Sequence, residues 1–445
     1  MLGRRLLWAA AFVAYGAVGC FAQNEVAVPA AQETASASTE MDSKPSPATA
    51  RRLDAQNRLA SRLLQQLEKG TPAGENIVVS PASVAIALSL LELGADQKLR
   101  AAIAQVLGYE GGTIGGPPGR SPPSPKRAQV ARPTGSPADE LKGLLQVILD
   151  LDDDKSMQGV LALANAIVFD PEASPSDIAI RGLRQTGAKV EVEKLSSEET
   201  LRGINAWVNT KTNGLIPSIL ETPPVAPGLV ALNALYFKDK WKLPFEVSST
   251  KNARFQNLAG DLNVPMMNMS RHLHQVQTKQ RFVGIELPYV HERFAMVLVS
   301  TKDKPARASE FGPVVNWLGG EGFAPGQAEL TMPRFQLNGK IELLPALDAL
   351  GLKTARASRT ALQGFSPVPQ RISQVMQRTY LQVDEAGTEA AAATAVLTVR
   401  SAVRTERISI DKPFVFALRD RVSGLILMAG YVGSPSTGPV AELAR

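Results

Sequence analysis

The chain contains 445 residues, of which 44% are hydrophobic and 20% charged, as is typical of a soluble globular protein with a large core. Its net charge of +6 allows contact with acidic partners but does not require it. Cys20 is the only cysteine, and because a disulfide needs two cysteines the chain cannot form an intramolecular disulfide framework.

Residues 1–22 have the pattern of a secretory signal peptide. Arg4 and Arg5 precede an apolar stretch over residues 6–19, and small residues around Cys20 supply a cleavage site. The apolar stretch is too short to cross a membrane comfortably, so we predict a secreted chain that does not span the membrane. Lipid modification of Cys20 is an alternative, since Ala-Val-Gly-Cys is weakly similar to a lipoprotein motif.

Residues 23–51 are rich in Ala, Ser, Thr, Glu and Pro, and they predict a disordered segment because they cannot bury enough apolar surface. From Arg52 onward, leucines recur at helical spacing and predict the first helix. A short apolar strand over residues 76–79 follows. Ser80 is placed to cap the next helix, with Pro81 at its first position.

Residues 110–137 contain Gly-Gly, Pro-Pro and Ser-Pro pairs and predict a disordered surface insertion. Basic residues in this insertion could bind a polyanion, although a solvated loop is the simpler interpretation. The aspartates within residues 150–154 lack the glycine and the ligand spacing of a calcium loop, so they indicate a solvated helix end. We therefore predict neither a metal site nor a cofactor.

The globular pattern resumes at Leu161. The part that follows includes Trp207 and Trp241. Both tryptophans are most simply interpreted as aromatic residues of the core.

The chain has only three histidines, His272, His274 and His291, and none lies in a recognisable catalytic triad or zinc-binding motif. No glycine-rich phosphate loop follows a predicted strand. We therefore predict that the protein is not an enzyme. Nucleic-acid binding is not predicted either, because only the net charge and scattered basic residues favour it.

The segment over residues 385–400 lies between two strand-like runs, residues 380–384 and 408–416, yet it contains four consecutive alanines. Alanine is a poor strand former, and it offers no large side chain to hold the segment in a core. The composition therefore predicts a segment that is mobile in one state of the protein.

The same segment is also suited to become a strand. With a period of two, its small or β-branched residues share one face, and Glu389 lies on the other. The residues of the uncharged face are Thr388, Ala390, Ala392, Thr394 and Val396. Because no charge would be buried, this face could enter the middle of a sheet.

Residues 383–394, with the sequence Val-Asp-Glu-Ala-Gly-Thr-Glu-Ala-Ala-Ala-Ala-Thr, resemble the hinge of the reactive-centre loop in inhibitory serpins. Residues 162–169, which include Asn165, resemble a central strand of the main serpin sheet. Residues 204–208 resemble a serpin helix, and residues 232–241 are similar to a further landmark in the same order. The resemblance covers residues 52–436 and leaves residues 437–445 as a C-terminal tail. It implies the α+β serpin fold, with a large central sheet, two smaller sheets, about eight or nine helices and an exposed reactive-centre loop.

Two groups of site residues follow from the resemblance. The hinge comprises Glu385, Gly387, Thr388, Glu389, Ala390, Ala391, Ala392, Ala393 and Thr394. The region where the sheet would open comprises Ser80, Ser83, Asn233, Trp241, Arg334 and Gln377. Most serpins have a histidine at the position of Gln377, but an amide both donates and accepts, and it could still bridge Asn233 and the serines. Arg334 is expected to pair with Glu385.

The resemblance also implies a function, namely inhibition of serine proteases by a suicide-substrate mechanism, as a monomer. Arg400–Ser401 is the favoured scissile bond, because trypsin-like proteases bind an arginine through charge-assisted hydrogen bonds. Ser401–Ala402 and a bond at Arg404 are alternatives, and elastase-like or subtilisin-like targets remain open. A non-inhibitory serpin that acts as a carrier, chaperone or storage protein is the competing interpretation. The uncharged inserting face favours the inhibitor.

Overall fold

The computed structural model describes residues 47–108, 159–387 and 405–435. The predicted signal peptide, the insertion at residues 110–137, the aspartates of residues 150–154, the hinge beyond Gly387, the scissile bond and the C-terminal tail lie outside these ranges. Within them the protein has seven α-helices and two β-sheets.

The α-helices are α1 (Pro47–Glu68), α2 (Pro81–Glu92), α3 (Gln97–Leu107), α4 (Asp177–Arg184), α5 (Glu198–Lys211), α6 (Leu344–Leu347) and α7 (Lys353–Arg356). The strands are β1 (Ile77–Val79), β2 (Leu161–Phe169), β3 (Lys189–Val192), β4 (Leu229–Phe237), β5 (Lys251–Phe255), β6 (Leu262–Lys279), β7 (Phe282–Pro288), β8 (Phe294–Thr301), β9 (Ala324–Pro333), β10 (Phe335–Glu342), β11 (Ile372–Val383), β12 (Glu406–Ser409), β13 (Phe414–Asp420) and β14 (Ile426–Val432). Three 3₁₀ segments (Pro171–Ala173, Val247–Ser249, Ala308–Gly319) and one π turn (Asp348–Leu352) complete the regular structure.

The central sheet has the strand order β10-β11-β4-β2-β3. β4 pairs antiparallel with β2 but parallel with β11, and Gln377 lies beside Asn233 in that parallel pair. The sheet has two parallel pairs, β11–β4 in its interior and β2–β3 at its edge. An antiparallel strand that entered between β11 and β4 would pair on both of its sides.

The second sheet has nine strands and contains both of the smaller sheets that the resemblance implies. They are continuous because β6 passes through both. The start of β6 pairs with β5 and its end pairs with β7. β9 pairs with β6 from Met266 to Val276, with an irregularity between Met269 and His272. The α+β serpin architecture predicted from the sequence is therefore present.

The N-terminus of α2 follows β1 directly. Ser80 caps α2 by accepting a hydrogen bond from the backbone N–H of Ser83, and Pro81 follows at the first helical position, which confirms the predicted cap. Residues 81–91 of α2 are all buried. The first helix, in contrast, begins at Pro47 rather than at the predicted Arg52, so residues 47–51, which were assigned to the disordered segment, are helical.

Alternate residues of β4 pack in two different cores. Leu235 and Phe237 face the larger core, which includes α2, whereas Leu232 and Tyr236 face a smaller core against α5. A strand buried on both faces explains the nearly continuous apolar sequence of residues 229–237. Among the helices of the described ranges, none has the length and apolar character needed to cross a bilayer.

Candidate functional site

The chain turns sharply where β11 ends. The backbone N–H of Asp384 donates to the carbonyl of Gly387 at 2.9 Å. The Asp384 carboxylate accepts in turn from the N–H groups of Ala386 (2.9 Å) and Gly387 (3.3 Å). Burial raises the pKa of the Asp384 carboxyl, although these two hydrogen bonds oppose the shift. The turn reverses the chain direction at the start of the predicted loop.

Gly387 pairs with the backbone just beyond β4, where it forms an isolated antiparallel bridge with Lys240. Its φ of +147° is one that residues with a side chain rarely adopt. A Cβ at this position would lie 2.3 Å from the carbonyl oxygen of Asp239 and 2.5 Å from Cα of Lys240. Glycine is therefore required both by the backbone angle and by the close approach of the two segments.

The buried Glu385 is held by two side chains. The Arg334 guanidinium donates to Glu385 Oε1 at 2.7 Å through Nε, and its Nη2 lies 2.5 Å from the same oxygen. The hydroxyl of Thr250 also donates to Oε1. The Arg334–Glu385 pair expected from the sequence is present, and it fixes the hinge against the residue that separates β9 from β10.

Trp241 contacts the hinge through both its backbone and its ring. Its N–H donates to the carbonyl of Ala386 and its indole Nε1 donates to the carbonyl of Asp384, both at 2.9 Å. The indole stacks on Tyr289, with ring centroids 4.5 Å apart and an interplanar angle of 17°. Trp241 is therefore more than a core aromatic residue, because it satisfies two carbonyl groups of the hinge turn.

A row of three amide side chains crosses the central sheet beneath α2, formed by Asn165, Asn233 and Gln377 at matching register positions. Gln377 accepts from the N–H of Ser80 at 2.7 Å and donates to the Ser80 carbonyl at 3.1 Å. Asn233 donates to Asn165. The amide of Gln377 thus joins α2 to the sheet, and its hydrogen bonds go to the backbone of Ser80 rather than to Asn233.

Three buried polar atoms near this row have no hydrogen-bond partner in the protein among the residues described, namely Ser83 Oγ, Asn233 Oδ1 and Thr379 Oγ1. A buried polar group without a partner costs about 1–3 kcal/mol. Asn165 belongs to the row although it was not among the predicted site residues. The signal for it was available, because it is the one amide in an otherwise apolar strand.

Residues 54–435 match the family model described as Serpin (serine protease inhibitor). The chain belongs to the serpin family. Human Serpin B11 is 30% identical over 381 residues, which cover 81% of this chain and 94% of that protein. The leukocyte elastase inhibitor of Sus scrofa is 29% identical over 405 residues, which cover 86% of this chain and 98% of that protein.

The fold likeness extends to human thyroxine-binding globulin with its bound thyroxine, at a TM-score of 0.73 and 21% identity. That comparison covers 88% of this chain and all of the globulin chain. By their names, the similar proteins thus include an inhibitor of elastase and a protein that binds thyroxine. The family alone therefore leaves inhibition and ligand binding open for this serpin.

The three histidines of this serpin lie at two places in the structure. His272 and His274 are neighbours on β6, with ring centroids 6.2 Å apart, whereas His291 lies in the turn between β7 and β8. Burial, together with the smaller effect of the nearby His272, lowers the pKa of His274 to about 4, so His274 is neutral at physiological pH. No group of three or more metal-ligating side chains occurs in the part of the chain that the structure describes.

Proposed function

We propose that this serpin inhibits serine proteases by acting as a suicide substrate. The observation that carries the proposal is the hinge, where Gly387 already pairs with Lys240 at the end of β4 while the following residues have the composition of a buried strand. The serine of the target protease would attack the loop and form an acyl-enzyme. Cleavage would free the segment that follows Gly387 to enter the central sheet.

The Lys240–Gly387 bridge supplies a register for that insertion. An antiparallel ladder that continues from this bridge places Thr388 opposite Asp239 and Thr394 opposite Asn233. Gln377 lies beside Asn233 on the other side of the gap. The inserted Thr394 would therefore lie between the two amides, where its hydroxyl could donate to Asn233 Oδ1, which lacks a protein partner.

The two faces of the inserted strand would meet suitable surroundings. Thr388, Ala390, Ala392, Thr394 and Val396 would share the face of Asn233, Leu235 and Phe237, which is directed to the larger core. These inserting residues carry no charge, so their burial costs no ionic desolvation. Glu389, in the same register, would lie opposite Lys238, whose opposite charge favours the pairing.

Insertion would trap the acylated protease. A strand of a dozen residues spans about 40 Å at 3.3 Å per residue, which is enough to carry the bound protease to the far end of the sheet. Distortion of the oxyanion hole of the protease would slow deacylation, since that hole supplies much of the rate. The inserted strand would gain two antiparallel ladders in place of one parallel pair, which favours the inserted state.

We infer that the scissile bond is Arg400–Ser401 and that trypsin-like proteases are the preferred targets. Arginine offers two charge-assisted hydrogen bonds to an acidic specificity pocket, which a serine at the cleaved position does not. Ser401–Ala402 remains the alternative, and it would favour elastase-like or subtilisin-like targets. The chain is expected to act as a monomer in the secretory pathway or outside the cell, with the basic insertion at residues 110–137 as a candidate polyanion contact.

The proposal is tested by incubation of the purified protein with a panel of serine proteases. An SDS-stable complex with trypsin-like enzymes supports it, and mass spectrometry of the released C-terminal peptide locates the bond. A peptide that begins at Ser401 supports Arg400, whereas one that begins at Ala402 moves the cleaved residue to Ser401. Cleavage of the loop by every protease tested, without any complex, would instead indicate a non-inhibitory serpin.

A further inference from the structure

Asp239 is a buried carboxylate with a specific partner outside the central sheet. It lies two residues beyond β4, and its side chain is 2% exposed. Its Oδ1 accepts from the N–H of Lys240 at 2.8 Å and lies 3.0 Å from Nδ1 of His291. Its Oδ2 is buried and has no partner among the residues described. A buried carboxylate is costly unless it is paired, so the contact with His291 has a structural consequence.

The strand-like segment 239–242 is held along both of its edges. On one edge the N–H of Trp241 donates to Ala386 in the hinge at 2.9 Å. On the other edge the carbonyl of Lys240 accepts from the N–H of Val290 at 2.7 Å, in the same turn that carries His291. Backbone groups of successive residues point to opposite edges of a strand, so the hinge and the β7–β8 turn hold different sides of one segment.

The contact of His291 with Asp239 could either hold the insertion gap closed or fix the backbone that pairs with the hinge, and the position of His291 distinguishes these two effects. His291 lies at the edge of segment 239–242 that faces the β7–β8 turn, whereas the gap for insertion lies between β4 and β11. The contact therefore does not hold the gap closed. It fixes the backbone of Asp239 and Lys240, and Lys240 is the residue that pairs with Gly387.

We propose that His291 is a positioning residue for loop insertion. Through its contact with Asp239, it holds the backbone of Lys240 in the position that pairs with Gly387, which is the first residue pair of the inserted strand. This inference rests on the proposed inhibitory function. An acyl-enzyme has two fates, hydrolysis or trapping by insertion. A less ordered first residue pair slows insertion, so a larger fraction of the serpin is hydrolysed for each protease molecule that is trapped.

The test compares three variants at the same turn. His291→Ala removes the donor to Asp239, whereas His291→Asn retains an N–H donor close to the position of Nδ1. Glu292→Ala is the matched control, because Glu292 contributes an ion pair with Lys242 in which both side chains are about half exposed, at 58% and 46%. We measure the stoichiometry of inhibition of trypsin and, separately, the rate of loop cleavage.

We expect His291→Ala to raise the stoichiometry about threefold with an unchanged cleavage rate, since one charge-assisted hydrogen bond is lost. His291→Asn should restore most of the wild-type value, and Glu292→Ala should retain it. An unchanged stoichiometry in His291→Ala, or a His291→Asn variant as defective as His291→Ala, would overturn the positioning role.

A second measurement separates this inference from the proposed function. The loop is nicked with subtilisin, and the appearance of a more heat-resistant form is followed over time. If the wild type traps no protease, the proposed function fails, but slower formation of the heat-resistant form in His291→Ala still supports the positioning role. Equal rates in the wild type and His291→Ala overturn it.

Discussion

Replacement of Arg334 by alanine should destabilise the protein with an intact loop, because it removes the ion pair between Arg334 and Glu385 in the hinge. Glu385 has a side chain that is 6% exposed, while that of Arg334 is 26% exposed, and the two are joined at 2.7 Å and 2.5 Å. Removal of one partner from a buried ion pair costs about 3–5 kcal/mol, because a charge is left uncompensated. Since Arg334 is partly exposed and Thr250 remains as a donor, we expect about 3 kcal/mol, or a fall in melting temperature of roughly 5 °C.

The assay is thermal unfolding of Arg334→Ala, Glu385→Ala and the double variant, analysed as a double-mutant cycle. The coupling free energy should be about 2 kcal/mol, since each single variant removes the same interaction. Arg254→Ala is the matched control, because the Arg254–Asp261 pair is as short (2.6 Å) but has side chains 70% and 46% exposed, and it should contribute below about 1 kcal/mol. A coupling energy no larger than that of the surface pair would refute the reasoning.

Four further outcomes are expected. Cleavage of the loop between Glu385 and Arg400 should raise the melting temperature by roughly 10 °C or more, because the inserted strand adds two ladders; a clipped form that melts at or below the intact one excludes insertion. Thr388→Arg should turn the protein into a substrate that is cleaved without trapping, while Thr388→Val should still form SDS-stable complexes. Because the pKa of His274 is lowered in the folded protein, the unfolded chain takes up a proton at this residue first as the pH falls. The contribution of His274 to the free energy of unfolding is therefore complete above about pH 6.5 and decreases by up to about 3 kcal/mol toward pH 4, below which it changes no further. His274→Gln should flatten this part of the pH profile in urea titrations. Asn268 stands in the glycosylation sequon Asn-Met-Ser, at residues 268–270. It should carry no glycan in the folded protein, because its amide donates to the carbonyls of Ser249 (2.8 Å) and Met266 (3.2 Å), and a mass shift on treatment with a glycosidase would contradict this.

Part of the fold could be predicted from local signals, as at the cap formed by Ser80, which depends on a few neighbouring residues. The strand that contains Asn165 and the landmark that includes β4 were predicted from the resemblance instead. The continuity of the second sheet could not be predicted, because it depends on β6 remaining extended past an irregularity near His272. The start of α1 at Pro47 was not predicted, because the polar, proline-containing segment before Arg52 lacks the apolar periodicity that indicates a helix.

Some contacts of the hinge region could be predicted from the sequence and others could not. A charge pair between Arg334 and Glu385 could be predicted from the resemblance because both residues stand at recognisable positions of the chain. The contacts of Asp239 could not, because His291 is more than 50 residues away along the chain and lies in a turn. The sequence also gives no sign that Gln377 would bind Ser80 rather than Asn233, since an amide can satisfy either arrangement equally well.

The choice of glutamine at position 377 has a physical consequence for sheet opening. A histidine in that place would change its donors and its charge across physiological pH, whereas the amide of Gln377 keeps its NH₂ donor group and its carbonyl acceptor at every pH. Both are used by the backbone of Ser80, and the neighbouring row positions are also amides, Asn165 and Asn233. The link between α2 and the parallel strand pair therefore contains no titratable group. Whatever opens the sheet between β4 and β11 must break the same uncharged hydrogen bonds in acid and in neutral solution.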